Sequence, residues 1–307
     1  MKIAHTYSII ALSDDLSEIG VAVQSHWFAV GAVCPWVVPG VGAIATQSMV
    51  EISYGPKGMA LLRSGVNTAQ ALASLISEDE GRDLRQVAMI SANGSVATHT
   101  GTRCIAEAGH QIGKNYSVQA NMMLVNTVWP SMAQAFENTS GNLAERLFAA
   151  LLAAENQGGD IRGKQSAAIM VAENVLDDSP WKHFTTNLRV DDHSDPIGEI
   201  RRLMDLEKAY ALMNAGDELM SDREVDKANE KYTHAAMLAP GNDELPFWQA
   251  VTLSETGNLD QALPIFKRIF SNNPDWARLI QRLPASGLLP DDPDLLRTIL
   301  SVVNEEE

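Results

Sequence analysis

Several short apolar runs in this sequence end in side chains able to grip and polarise a carbonyl or a carboxylate. Gln24-Ser25-His26 closes the run Ile19–Val23, and Thr46-Gln47-Ser48 closes the run that starts at Gly42. Gln24 and Gln47 offer amide donors at strand ends; Gln47 is placed to donate to an oxyanion, or to cap the turn after it. Asn121, shortly after Gln119, adds a neutral donor and acceptor that closes either a site or a turn. His26 can orient a substrate or serve as a base, although a lone histidine is as readily structural. Arg103, in Thr100-Gly101-Thr102-Arg103-Cys104, and Arg162, in Asp160-Ile161-Arg162-Gly163, carry the planar fork that binds a carboxylate bidentately. In an acidic protein the same forks also serve in salt bridges.

Cofactor chemistry has little behind it. Asp191-Asp192-His193-x-Asp195 is the one cluster resembling metal ligands, but its members are adjacent in a turn before Pro196. Asp195 also suits the N-cap of a helix running to Met204, so no metal is expected. Neither G-x-G-x-x-G nor G-x-x-x-x-G-K-[ST] occurs, and no nucleotide or other cofactor is expected. Two cysteines, Cys34 and Cys104, supply neither a disulfide framework nor a zinc site.

The elements that must position these groups fall into two halves. At 307 residues the chain is long enough for two domains, and 45% apolar with 20% charged residues is the composition of a packed globular protein. A formal charge of −16 argues against a nucleic-acid partner. The longest apolar stretch, Phe28 to Ile44, is broken by Pro35, Pro39 and glycines, so no membrane span is expected. No signal-peptide pattern is read at the start, which implies a cytoplasmic protein. Up to about residue 200, β-type runs (6–12, 19–24, 31–46, 87–90, 96–98, 167–171, 184–190) are interleaved with helical stretches (55–64, 69–77, 127–136, 143–155). That order is layered α+β rather than a strict βαβ alternation. The two domains are expected at 1–200 and 201–307.

Beyond residue 200 the pattern is helical and repeats. Ala228, Tyr232 and Pro240 recur as Ala262, Phe266 and Pro274, each 34 residues later, and Gly216 is matched by Ala250 at the same interval. Small residues let two antiparallel helices approach, an aromatic wedges between them, and proline ends the second helix. The spacing resembles the tetratricopeptide repeat (TPR). An all-α TPR-like domain that binds a protein partner is therefore expected over 201–307. Asp205–Asp217 and Asp292–Val303 would act as its caps. Trp248 and Trp276 fill gaps between helices or anchor a peptide. A homodimer is also expected.

Residues 4 to about 200 resemble the DUF1028 family, placed among the Ntn-hydrolase-like (N-terminal nucleophile) proteins. The resemblance rests on Thr6-Tyr7-Ser8-Ile9, Gly20-Val21-Ala22-Val23-Gln24-Ser25, Val30-Gly31-Ala32-Val33 and Gly42-Ala43-Ile44-Ala45-Thr46-Gln47. It continues through Tyr54-Gly55-Pro56-Lys57-Gly58, His99-Thr100-Gly101 and Gln119-Ala120-Asn121-Met122-Met123. Gly159-Asp160-Ile161-Arg162-Gly163-Lys164-Gln165-Ser166-Ala167 and Asp191-Asp192-His193-Ser194-Asp195-Pro196 close it. It implies a four-layer αββα sandwich and an amidohydrolase that cleaves a C–N bond of a small-molecule or peptide-like substrate.

The resemblance also implies a nucleophile. Ntn hydrolases use the first residue of the mature chain, whose free α-amine, with a pKa near ~7.7–8.0, takes the proton of its own hydroxyl. Thr6 is the matching position. Relatives that begin Met-Thr expose that threonine by losing Met alone, whereas here five residues precede it and the His5–Thr6 bond must be cut. The catalytic candidates are thus Thr6 and His26; Gln24, Gln47, Arg103, Asn121 and Arg162 are the candidates for binding substrate. Thr6 is alternatively a β-branched strand residue and Ser8 a packing serine, in which case the first domain is a non-catalytic scaffold and the helical domain does the binding.

Overall fold

The computed structural model describes residues 2–303, with side chains from Ala4 onward. Two compact units are present, Met1–Leu203 and Met204–Glu307. In the first, the strands are β1 (Lys2–Ala4), β2 (Thr6–Leu12), β3 (Glu18–Ser25), β4 (Pro35–Val38) and β5 (Gly42–Val50). Helices α1 (Tyr54–Arg63) and α2 (Thr68–Ser77) follow, then β6 (Arg85–Ser91), β7 (Val96–Thr100), β8 (Gly109–Gly113) and β9 (Tyr116–Ala120). Helices α3 (Val128–Asn138) and α4 (Leu143–Asn156) precede β10 (Ser166–Glu173) and β11 (Phe184–Val190).

These strands form two antiparallel sheets. One has the order β1-β5-β6-β7 with β4 also on β5; the other has the order β11-β10-β3-β2-β9-β8. The chain therefore leaves the first sheet at Ala4 and enters the second at Thr6, with His5 as the crossing. Helices α1 and α2 pack on the first sheet, and α3 and α4 on the second. Strand β2 is buried on both faces, which explains its unbroken apolar character. Tyr7 points to α4, where its hydroxyl donates to Glu155 at 2.8 Å. Ile10 and Leu12, of the opposite parity, join Ala43, Ala45, Ala88 and Ile90 of the facing sheet. Alanines on that face let the two sheets approach closely.

Two elements, β1 and β8, have no clear trace in the sequence, and one β run is divided. β1 is only three residues long. In β8, His110, Gln111 and Ile112 are all exposed, so the edge strand of the β8–β9 hairpin carries no alternation to read. The region 31–46 is two strands, joined where Gly40 takes a left-handed conformation (φ 67°).

The second unit is helical. Helix α5 (Pro196–Ser221) does not stop at Met204: residues 205–217 continue it rather than forming a separate cap. Helices α6 (Val225–Leu238), α7 (Glu244–Glu255), α8 (Leu259–Asn272), α9 (Asp275–Ile280) and α10 (Pro293–Ser301) complete the unit. Its core gathers Met213, Ala228, Tyr232, Phe247, Ala250, Phe266 and Ile299 among others. Among the described residues, no helix is long and apolar enough to cross a membrane.

Gly216 faces the ring of Tyr232, and a Cβ there would lie 2.4 Å from Tyr232 Cε1. Tyr232 cannot swing away cheaply, because it is buried and its hydroxyl donates to Asp217 at 2.8 Å. Alanine gains ~1 kcal/mol of helix propensity but overpacking costs about 1–3 kcal/mol. Gly216→Ala should therefore destabilise the helical unit by about 1 kcal/mol in urea denaturation, and a stabilised variant would refute this packing.

Candidate functional site

Between the two sheets, at the end where β2 begins, the packing is polar instead of apolar. Ser8 donates to Gln47 Oε1 at 2.6 Å and accepts from Gln119 Nε2 at 2.6 Å. Gln47 Nε2 donates to Gln86 Oε1 at 2.7 Å and to the Thr6 carbonyl at 3.0 Å. Gln86 Nε2 in turn reaches Thr100 Oγ1 and the carbonyls of Gly109 and Ala120, at 2.8 to 3.1 Å. Ser8, Gln47, Gln86 and Gln119 are all fully buried. A buried amide left unpaired costs about 1–3 kcal/mol, so this web fixes each side chain's orientation.

Asn121 links the web to the crossing residue. Its Nδ2 donates to Gln86 Oε1 at 2.8 Å and to the Thr6 carbonyl at 3.3 Å, which turns its Oδ1 toward His5. The 2.6 Å contact is then the His5 Nδ1–H donating to Asn121 Oδ1. Nε2 carries the lone pair, is buried, and meets no hydrogen-bond partner among the described residues. Burial is the main cause holding the His5 imidazole below its usual pKa; the Asn121 bond opposes it, nearby Arg162 adds to it, and Asp160 opposes it weakly. The ring is a neutral base in the protein's interior.

The carbonyl of the bond between His5 and Thr6 is held by two donors. The His5 carbonyl accepts from Ser25 Oγ at 2.5 Å and from Arg162 Nη2 at 3.0 Å. Ser25 gets there because it stands opposite Thr6 in the β2–β3 register. Arg162 is aimed by Asp160, whose carboxylate takes its Nε at 3.0 Å and its Nη2 at 2.6 Å. Thr6 itself is buried, and its hydroxyl donates to the Ala4 carbonyl at 2.8 Å. Its nitrogen is an amide, and no base touches its hydroxyl. In this state Thr6 has no free α-amine to serve as its base.

Of the residues singled out from the sequence, Thr6, Gln47, Asn121 and Arg162 lie together. Gln24 does not join them. It stands opposite Tyr7, so it shares that residue's helix-facing side of the sheet, where its buried amide has no hydrogen-bond partner among the described residues. Arg103 is exposed in the turn after β7, with no ion pair or side-chain hydrogen bond among the described residues. His26 is exposed; its backbone N–H donates to Asp160 Oδ2 at 3.3 Å, and its ring takes no part in the web. Cys34 is buried beside Gln47, and burial pushes its thiol well up. Asp191, Asp192 and Asp195 pair with Arg189, Gln165 and Lys164, and no described group of three or more acidic, His or Cys side chains is set to hold a metal. Sequence reasoning missed His5, Gln86 and Asp160 as site members and the part played by Ser25. Only Ser25 had a readable signal, the hairpin register that sets it against Thr6.

The comparisons with known proteins agree with this architecture. The sequence profile of DUF1028, a family of unknown function, matches residues 6–200, so the chain belongs to that family. The match opens at Thr6. The chain is also similar to the crystal structure of protein SPO2555 from Silicibacter pomeroyi, itself a DUF1028 protein. Identity is 28%, covering 66% of this chain and 85% of that one, with a TM-score of 0.59. No curated protein matches.

Two outcomes follow from the web. Gln86→Leu keeps the volume but strands donors on Gln47 and Asn121, and should cost the first unit about 2–4 kcal/mol in chemical denaturation; a loss near zero would show the web is dispensable. Because the folded His5 titrates below 6.5, the unfolded chain takes up a proton first as pH falls below that value, and stability drops. His5→Gln should therefore flatten the fall in Tm between pH 7 and pH 5, whereas an unchanged slope would place the acid sensitivity elsewhere.

Proposed function

We propose that the first unit is a four-layer αββα Ntn-type amidohydrolase in its uncut form, with Thr6 as the nucleophile released by cleavage of the His5–Thr6 bond. The observation that carries this reading is the His5 carbonyl held by Ser25 Oγ and Arg162 Nη2. Two donors on one peptide oxygen, one of them a cation, constitute a preformed oxyanion hole. That carbonyl belongs to the one bond whose scission would free the Thr6 amine. The match of the family profile from Thr6 onward supports the same position.

The proposed steps are these. Thr6 Oγ1 turns from the Ala4 carbonyl and attacks the His5 carbonyl carbon, its proton passing by way of solvent water to the Thr6 nitrogen that will leave, and the oxyanion forms against Ser25 and Arg162. The C–N bond then breaks, leaving His5 esterified to Thr6 and the Thr6 nitrogen as an amine. Water hydrolyses the ester, giving a His5 carboxylate and a free threonine. The new amine, with a pKa near ~7.7–8.0, becomes the base for later cycles on an external amide. Gln47 and Asn121 hold the Thr6 carbonyl and so keep the nucleophile in place throughout. No cofactor or metal enters this scheme.

A second reading concerns the helical unit, where a TPR-like repeat would bind protein while the first unit serves as a scaffold. It rests on a cavity of about 370 Å³ lined by Tyr210, Asp217, Glu244, Trp248, Glu255 and Leu288, with no Lys or Arg in its lining. Burial raises the pKa of Asp217 and of Glu255, and the charge of Asp217 raises that of Glu255 further. A lysine-rich peptide should quench or shift Trp248 fluorescence, less so in 0.5 M salt; an unmoved spectrum counts against this reading.

The amidohydrolase reading is tested by intact mass. Wild-type protein should lose the residues before Thr6 with time, Thr6→Ala should keep them, and Ser25→Ala should cleave about 10²-fold more slowly. A wild-type chain that retains His5 after prolonged incubation between pH 6 and 9 would sink it.

A further inference from the structure

We infer that the space filled by the His5 side chain is the acyl-side specificity pocket of the site, and that the substrate is a peptide-like acyl donor with an imidazole, laid as a strand along β5. The inference rests on the amidohydrolase reading of Thr6. In self-cleavage the acyl group passed to Thr6 Oγ1 is that of His5. Any later substrate must bring its own carbonyl carbon to the same place, against the same Ser25 and Arg162 donors. Its acyl-side residue then falls where His5 now lies.

That space has a definite chemistry. His5 is 1% exposed, so the fit is close. Asn121 presents its Oδ1, an acceptor, to that space, because its Nδ2 is committed to Gln86 Oε1 and the Thr6 carbonyl. A ligand with an N–H toward Asn121 satisfies it, whereas an apolar ring of equal size leaves a buried acceptor unpaired. A site built to hydrogen-bond its ligand rejects the analogue lacking that group far more strongly than it rejects a change of one methylene.

The residues before His5 define the rest. Lys2, Ile3 and Ala4 pair antiparallel with Val50, Met49 and Ser48, so this segment adds a strand to the edge of β5. A peptide bound in its place would use the same main-chain bonds, the mode called β-augmentation. Ala4 is fully buried against Val33 and Val50, which favours a small apolar residue just before the imidazole.

The test uses the chain with residues 1–5 removed and carrying Thr6→Ala, so that binding is read without turnover. Probes are acetyl-Lys-Ile-Ala-His and the same peptide with thienylalanine, a five-membered ring with no N–H, in place of histidine. Calorimetry should show the histidine peptide binding at least tenfold more tightly. If the shortened chain melts without cooperativity, the histidine peptide should restore a cooperative transition and the thienylalanine peptide should not. Equal effects of the two peptides, or none from either, would overturn the inference. The p-nitroanilides of both peptides, given to the shortened chain with Thr6 intact, separate the two readings. Selective binding without amide release removes the amidohydrolase and leaves the pocket; release without preference for histidine does the reverse.

Discussion

The first unit depends on one constraint: the side-chain amides of Gln47 and Gln86 are buried between two sheets and must pair with each other. Their 2.7 Å bond joins adjacent strands β5 and β6 of one sheet, and their remaining groups reach the Thr6, Ala120 and Gly109 carbonyls of the other. Each such bond nets only ~0.5–1.5 kcal/mol, but each failure costs more than it gains. The pairing therefore acts less as an adhesive than as a spacer and a register pin. Because it sets the sheet separation, it also sets where Asn121 sits, and Asn121 sets the His5 ring.

The crossing at His5 is the second consequence. A chain that leaves one sheet and enters the other within one residue carries that residue's carbonyl into the gap, away from either ladder. A buried carbonyl without a partner is costly, and Ser25 and Arg162 meet the need. A carbonyl oxygen has two lone pairs, and here a hydroxyl and a guanidinium take one each. The guanidinium is also paired with the fully buried Asp160 carboxylate, so the ion pair as a whole is neutral and its bond to the His5 carbonyl is fixed in direction.

How much of this was legible follows from which residues carry a local signal. The strands flanking the Asp14-Asp15 turn, the helices capped by Asn67 and Asn142, and the change of period near residue 200 all announce themselves through turn chemistry and spacing. Arg162 stood out for its planar fork and Asn121 as a neutral donor and acceptor shortly after Gln119, whereas Gln47 stood out because it ends an apolar run. Gln24 stood out for the same reason, yet strand parity sends it to the other face; a strand end says that a residue is near a site, not which side it faces. His5 gave no signal, since its place follows from β1, a strand too short to read. Gln86 is the second residue of β6, directly after Arg85, so it looks like solvated surface until the β8–β9 hairpin is seen to cover it.

The parity of β2, β5 and β6 explains how stability and chemistry share one interface. Along β2 the inter-sheet positions run Thr6, Ser8, Ile10, Leu12; along β5 they run Gln47, Ala45, Ala43; along β6, Gln86, Ala88, Ile90. All three strands pass from polar to apolar in the same direction. The apolar end supplies area-dependent, orientation-free cohesion, which tolerates small shifts. At the polar end, directional bonds lose their value within a few tenths of an ångström. Such bonds hold their geometry only if a rigid neighbour clamps the strands, and the apolar end is that clamp. A uniformly apolar interface would be more stable but could orient nothing, and a uniformly polar one could not repay its desolvation. The gradient puts oriented groups at the end where the chain crosses between sheets.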